Sequence, residues 1–334
     1  MKHVLCALLA VVLPLAALPA SAQVLSGSMD IHWNEGAEDC AANPPAPLQV
    51  HNYAEGTFIL RENVCATLEA PFLYLLVGSA KALLIDTGDV ADPQRMPLAQ
   101  TVMDLLPGEG TSKLPLIVLH THGHLDHRAG DSQFQGLPNV EVVATDLEHV
   151  QQYFGFADWP SGTAQLDLGD RTIDVLPTPG HYPSHVSYYD RKTGLFFSGD
   201  FLLPGRLLIA DAAADLASAK RVADFAANRP ISYVLGGHVE LDEAGDLAAL
   251  GSRYRPHERA LQLTRQDLLA LPEVVGSFNG FYNRHGIFVM MSQTRMLMAI
   301  GCTAIAVLIA GGMLLGWYLR RRRRLRLQRA SARV

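Results

Sequence analysis

His122-Gly123-His124-Leu125-Asp126-His127 follows closely on the apolar run Leu116-Ile117-Val118-Leu119 and ends near Gly130. Four metal-competent side chains in six residues require a loop leaving a strand. Alternate residues of an extended segment point the same way, and a turn is needed to recruit the rest. Neutral imidazole and carboxylate suit a hard-to-borderline divalent ion, zinc first, with iron or manganese as alternatives, and the motif contains no cysteine. His120, two residues before the motif, reads as a strand-end histidine satisfied by hydrogen bonds.

Outward from this motif, short apolar runs alternate with helical patterns. Strands are predicted at Thr57 to Leu60, Phe72 to Val77, Ala82 to Ile85, Leu116 to Leu119, Val140 to Ala144, Thr172 to Leu176, Val186 to Tyr189, Leu195 to Phe197 and Tyr233 to Leu235. Helices are predicted at Met96 to Leu106, Leu147 to Phe154, Leu216 to Ala227 behind an Asp215 cap, and His257 to Leu271 behind Pro256. A hairpin is expected from Ser277 to Met291, turning near Asn283 to Gly286. Strands in meander order, then mixed with helices, imply an α/β fold of packed sheets with helices outside. Residues 23–55, with Pro44-Pro45 and Pro47, read as an irregular leader, and residues 56–294 as one domain.

The histidine motif resembles that of the metallo-β-lactamase superfamily, and the resemblance extends along the chain. Leu83-Leu84-Ile85-Asp86-Thr87-Gly88 is similar to the family's first motif, and Thr178-Pro179-Gly180-His181-Tyr182-Pro183-Ser184-His185 to its third. Phe197-Ser198-Gly199-Asp200 resembles the fourth and Gly236-Gly237-His238 the fifth, all in order. The resemblance implies an αββα sandwich with the site on one edge. It implies that His122, His124 and His185 hold one metal, that Asp126, His127 and His238 hold another, and that Asp200 bridges them. Asp86 then orients a ligand loop by hydrogen bonding, and Asp126 steers a proton to the leaving group. His181 reads as a structural turn residue. Arg206 is open to two readings, a clamp for a substrate anion or a plain salt bridge.

Two divalent ions at such a site lower the pKa of a shared water and polarise the group under attack. The expected enzyme is therefore a binuclear metallohydrolase, in which a hydroxide bridging two zinc ions cleaves an ester, thioester or lactone in a small molecule. The resemblance leaves other readings open. One is a mononuclear iron oxidoreductase acting on persulfides, and another is a non-catalytic receptor. A β-lactamase is disfavoured because those enzymes commonly lack the bridging carboxylate present here as Asp200.

The two ends of the chain bear on location. Lys2, the apolar stretch Val4 to Leu18 and Ala20-Ser21-Ala22 read as a signal peptide over residues 1–22. Met296 to Leu319 contains no charged side chain and reads as a transmembrane helix. Arg320 to Arg324 and the rest of the basic tail, residues 320–334, put the C-terminus in the cytoplasm. The expectation is a single-pass inner-membrane protein whose catalytic domain is periplasmic or extracellular. Between these ends, residues 23–294 carry 17 Lys and Arg against 33 Asp and Glu, a charge of about −16 that repels phosphate backbones and argues against a nucleic-acid partner. Cys6 and Cys302 fall in the two apolar segments, leaving Cys40 and Cys65 as an expected disulfide in an oxidising compartment.

Overall fold

The computed structural model describes residues 24–249 and 251–331, so the signal segment expected at residues 1–22 lies outside the described residues. The first half forms β1 (Leu48–Ala54), β2 (Thr57–Glu62), β3 (Phe72–Val77), β4 (Ala82–Ile85), α1 (Leu98–Leu105), β5 (Leu116–Leu119), α2 (Leu125–Arg128), α3 (Asp131–Phe134), β6 (Val140–Val142) and α4 (Leu147–Phe154). The second forms β7 (Ala164–Asp167), β8 (Thr172–Pro177), β9 (Val186–Asp190), β10 (Leu195–Gly199), β11 (Arg206–Leu208), α5 (Ala212–Ala227), β12 (Tyr233–Gly236), β13 (Gln262–Leu263), α6 (Arg265–Gly276), β14 (Tyr282–His285), β15 (Phe288–Met291) and α7 (Gln293–Ser331). One six-stranded sheet runs β1-β2-β3-β4-β5-β6 and the other β13-β12-β10-β9-β8-β7, while β11-β15-β14 make a small third sheet.

The continuous apolar strands are explained by burial on both faces. With a side-chain period of two, Tyr74, Leu76, Leu83, Ile85, Ile117 and Leu119 point inward and meet Ile173, Val175, Tyr188 and Phe197 of the second sheet. Their neighbours Leu73, Leu75, Leu84 and Val118 point outward, where Leu98, Val102 and Phe134 cover them. On the far side, Phe196 and Val234 pack under Val222 of α5 and Leu268 and Leu271 of α6. The result is the αββα layering expected from the sequence.

Three local expectations change. The leader is not irregular throughout, because Leu48–Ala54 pairs antiparallel with β2. As a half-exposed edge strand behind a proline-rich stretch, β1 carries little hydrophobic alternation to announce it. The last helix of the domain begins at Arg265 instead of His257, because Thr264 and Asp267 form a capping box there. Upstream, Glu258 is held in an ion pair by the buried Arg61.

Helix α5 starts earlier than expected, with Asp211 as its cap accepting from the Ala213 and Ala214 backbone N–H groups. Asp215 instead lies buried in the first turn, where a Cβ on Gly180 would stand 2.5 Å from its Cα. Burial pushes its carboxyl up to about 8, and Asp211 adds to the rise. The folded chain thus keeps a proton that the unfolded chain releases above the ordinary value of 3.8, so stability is lost as pH rises from there towards about 8. Asp215→Asn is expected to remove that slope and to stabilise the protein at pH 8 by roughly 2 kcal/mol or more. Denaturant titrations at several pH values measure it, and an unchanged slope would refute it.

Candidate metal centre

Every residue singled out by its motif lies at or just beyond the end of a strand. Asp86 follows β4, His122 to His127 follow β5, Asp200 follows β10 and Gly237-His238 follow β12, while the loop from Thr178 to His185 follows β8. Strands β4 and β5 are parallel, as are β10 and β12, so their carboxyl ends share an edge. Backbone bonds tie the loops together there: Thr87 N–H donates to the His127 carbonyl, Val186 N–H to that of Thr121 and Gly237 N–H to that of Gly199.

On one side of the edge, His122 Nε2 lies 2.9 Å from His124 Nδ1, and His181 Nε2 lies 3.0 Å from the same His124 atom. The three donor atoms fall within 4.8 Å of one another. His181 donates through Nδ1 to the Leu208 carbonyl at 2.8 Å, which leaves the lone pair of a neutral ring on Nε2, facing the cluster. A single Nδ1 cannot satisfy two facing ring nitrogens by hydrogen bonding, whereas a shared cation can. His185 stacks on His122 with centroids 5.1 Å apart. Its Nδ1 meets Thr178 Oγ1 at 2.8 Å, while its Nε2 is buried without a partner.

On the other side, donor atoms of Asp126, His127, Asp200 and His238 also fall within 4.8 Å of one another. His238 Nδ1 donates to the Glu69 carbonyl and His127 Nδ1 to Asp86 Oδ2, both at 2.9 Å, so both rings present Nε2 inward. Asp200 Oδ1 is buried without a hydrogen-bond partner. The same carboxylate reaches both clusters, with one oxygen 3.4 Å from His127 Nε2 and the other 3.8 Å from His181 Nε2. Gly237 keeps the space open, since a Cβ there would sit 2.6 Å from Asp200 Oδ1 and 2.7 Å from His127 Cε1.

Asp86 does not line the cavity. It is fully buried, accepts from Thr121 N–H at 2.7 Å and from Thr121 Oγ1 at 2.9 Å, and grips His127. It does so at φ +64°, a left-handed conformation that a short polar side chain tolerates. With three donors converging on it, an amide cannot replace the carboxylate without turning an N–H against one of them. Asp86→Asn is therefore expected to weaken divalent-metal binding about 10- to 100-fold by chelator competition. An unchanged affinity would remove Asp86 from the site's support.

Electrostatics prepare the imidazoles of the first side and both carboxylates. Against burial, Asp200 and Asp86 hold the His127 imidazole well above its usual pKa, and Asp200 and Asp126 raise His238 to about 9, so these two rings must release a proton to take a cation. Burial holds the His122 and His185 imidazoles well below their usual pKa, so they stay neutral with lone pairs available. Burial opposes the charge on Asp126, but the His238 hydrogen bond and nearby His127 outweigh it and bring the carboxyl to about 2. Burial likewise opposes ionisation of Asp200, and His238 and His127 reverse it, holding this carboxyl well below the usual range.

Both clusters open into one cavity of about 420 Å³, also lined by Glu69, Asp89, Leu125, Arg206, Glu240 and Gln293. Arg206 is occupied by Glu240, which its Nε reaches at 3.0 and 3.1 Å, in keeping with the salt-bridge reading. His120 Nε2 meets Asp131 Oδ1 at 2.8 Å and belongs to the loop's scaffold. The expectation for His181 is corrected, because its ring faces the cluster. Glu69, Glu240 and Gln293 were not singled out by sequence at all. They lie on irregular segments or element ends, far from any motif, and no local pattern marks them.

The model of the metallo-beta-lactamase superfamily matches residues 66–238 of the chain. The acyl-coenzyme A thioesterase MBLAC2 of Gallus gallus is 25% identical over 232 residues, covering 60% of this chain and 83% of that protein. The hydroxyacylglutathione hydrolase of Maricaulis maris is 32% identical over 144 residues, covering 43% of this chain and 52% of that protein. Among solved structures, a metallo-beta-lactamase from Pontibacter korlensis matches with a TM-score of 0.45 and 17% identity, over 68% of this chain and 99% of that one. With more than half of its length matched to the family model and the family's layered sheets around a His/Asp cluster, the chain belongs to the metallo-beta-lactamase superfamily.

Proposed function

We propose that the protein is a binuclear metallohydrolase that cleaves an acyl ester or thioester. The observation that carries this reading is the pair of facing donor clusters joined at Asp200, with two buried donor atoms, His185 Nε2 and Asp200 Oδ1, left without partners. Polar atoms this deeply buried are costly unless something pairs with them. His122, His124 and His185 would hold one divalent cation and Asp126, His127 and His238 the other, with Asp200 between them and His181 as a further imidazole beside the first. Zinc suits this donor set, and iron or manganese are its competitors. When bound, the cations supply Lewis acidity and a lowered water pKa.

The protein's own groups divide the remaining work. Asp86 fixes the His127 tautomer, and the Glu69 carbonyl fixes that of His238. The Asp126 side chain is 23% exposed against 12% for Asp200, so it is the carboxylate placed to pass a proton to a leaving group at the cavity mouth. Names of the relatives support acyl hydrolysis, one being called an acyl-coenzyme A thioesterase and the other a hydroxyacylglutathione hydrolase.

For its location, we propose an exported domain held by α7, which contains an 18-residue stretch with a mean hydropathy of 2.3 and is long and apolar enough to cross a membrane. The Cys40–Cys65 disulfide supports an oxidising compartment for the domain, and the arginines from Arg320 support a cytoplasmic tail. Two measurements on the full chain in detergent test the reading: metal content, and turnover across ester, thioester, lactone and phosphodiester panels. Two zinc ions per chain with acyl-compound turnover are expected. One iron and no zinc would favour the persulfide-oxidising alternative, and full metal loading with no turnover would leave a receptor.

A further inference from the structure

The apolar helix does not leave the domain at a point remote from the chemistry. Its first residue, Gln293, lines the same cavity as His124, Asp126, Asp200 and His238. The apolar run begins at Met296, three residues on, which is about 4.5 Å along a helix rising 1.5 Å per residue. The root is fixed to the cavity wall by backbone pairing. Strand β15, which ends two residues before α7, pairs in parallel with β11, and the Leu208 carbonyl at the end of β11 receives the His181 hydrogen bond. Ser292 N–H donates to the Phe281 carbonyl, and Arg295 donates to the Gly280 carbonyl.

The surface around this root has the character of a membrane interface. Phe281 and Tyr282 are 44% and 45% exposed beside it, and Phe281 shares an apolar groove with Met296, Ile300 and Thr303 of α7. Trp317 and Tyr318 stand at the other end of the run, about 30 Å away, matching the hydrocarbon thickness. Leu125, within the histidine motif itself, is 63% exposed at the cavity lip. The cavity offers no unpaired cation among its described lining residues, since Arg206 is held by Glu240 and the rim also carries Glu69 and Asp89.

We propose, resting on the hydrolase reading above, that the substrate is an acyl ester or thioester of an uncharged amphiphile taken from the bilayer, its acyl chain remaining among the lipids beside α7 while the carbonyl enters the cavity. In the reaction, a water oxygen bonds to the carbonyl carbon and the C–O or C–S bond to the leaving group breaks. One water proton goes to the alcohol or thiol and the other is released from the new carboxylic acid. Apolar chains keep their burial at the bilayer edge, and the helix raises the local concentration of substrate at the mouth.

The test uses the full chain in phosphatidylcholine vesicles with two nitrophenyl esters, the water-soluble acetate and the bilayer-held palmitate. The palmitate is expected to be turned over at least about tenfold more efficiently. A flexible Gly-Ser linker of about eight residues inserted after Arg295 lifts the cavity from the bilayer while leaving Gln293 and Arg295 in place. It is expected to abolish that preference while acetate turnover stays the same. Equal turnover of the two esters, or a preference that survives the linker, would overturn the proposal. A fluorophore at Leu125→Cys, in a Cys302→Ser background, gives a readout independent of activity. Quenching by nitroxide-bearing lipids is expected, and its absence would overturn the proposal. Quenching with neither ester cleaved would instead bring down the hydrolase reading, and the substrate assignment with it.

Discussion

His122→Ala is expected to lower acyl-ester hydrolysis by about a thousandfold or more, because several kcal/mol of charge stabilisation depend on the cation it would help to hold. His122 is the hub of its cluster. Its ring contacts those of His124, His127, His181 and His185, with centroid separations from 4.1 to 5.1 Å. Removing it both deletes a donor and unpacks the rings that aim the others. Metal analysis should show less than the full complement, while far-ultraviolet circular dichroism stays the same because the sheets pack elsewhere. A variant that keeps wild-type turnover would show that the activity does not come from this site.

Gly237→Ala tests the other cluster by addition of atoms. The new methyl would have to occupy space 2.6 Å from Asp200 Oδ1 and 2.7 Å from His127 Cε1, closer than non-bonded atoms tolerate. Either the carboxylate or the imidazole must swing away, and a displacement of even an ångström at a positioned group costs about 100-fold in rate. The expected result is loss of roughly one metal equivalent with at least that loss of turnover. Wild-type metal content and turnover would mean that Asp200 and His127 do not act together.

Much of this architecture is legible in the chain. Strands β4, β5 and β12, which lead into Asp86, the histidine motif and His238, are buried almost throughout and appear as unbroken apolar runs, and the motifs sit at their ends. What escapes reading is decided by tertiary contact. Strand β1 exists because β2 offers it an edge, and α6 starts where Thr264 and Asp267 cap each other. The same holds at the site. His181 and His185 are four apart in an irregular loop, where no period says which ring turns inward, and the structure turns both towards His122. Gln293 is invisible because its role comes only from the pairing of β15 with β11.

The Cys40–Cys65 bond joins a corner at which three stretches of chain meet. Ala37 N–H donates to the Arg253 carbonyl, Arg255 N–H to that of Glu35, and Arg253 Nη1 to that of Cys65. With the cysteines 25 residues apart, the bridge contributes about 3 kcal/mol by restricting the unfolded chain. Protein overproduced in a bacterial cytosol, where thiols stay reduced, is therefore expected to forfeit that margin. An expression host that oxidises its cargo becomes a requirement for good yields.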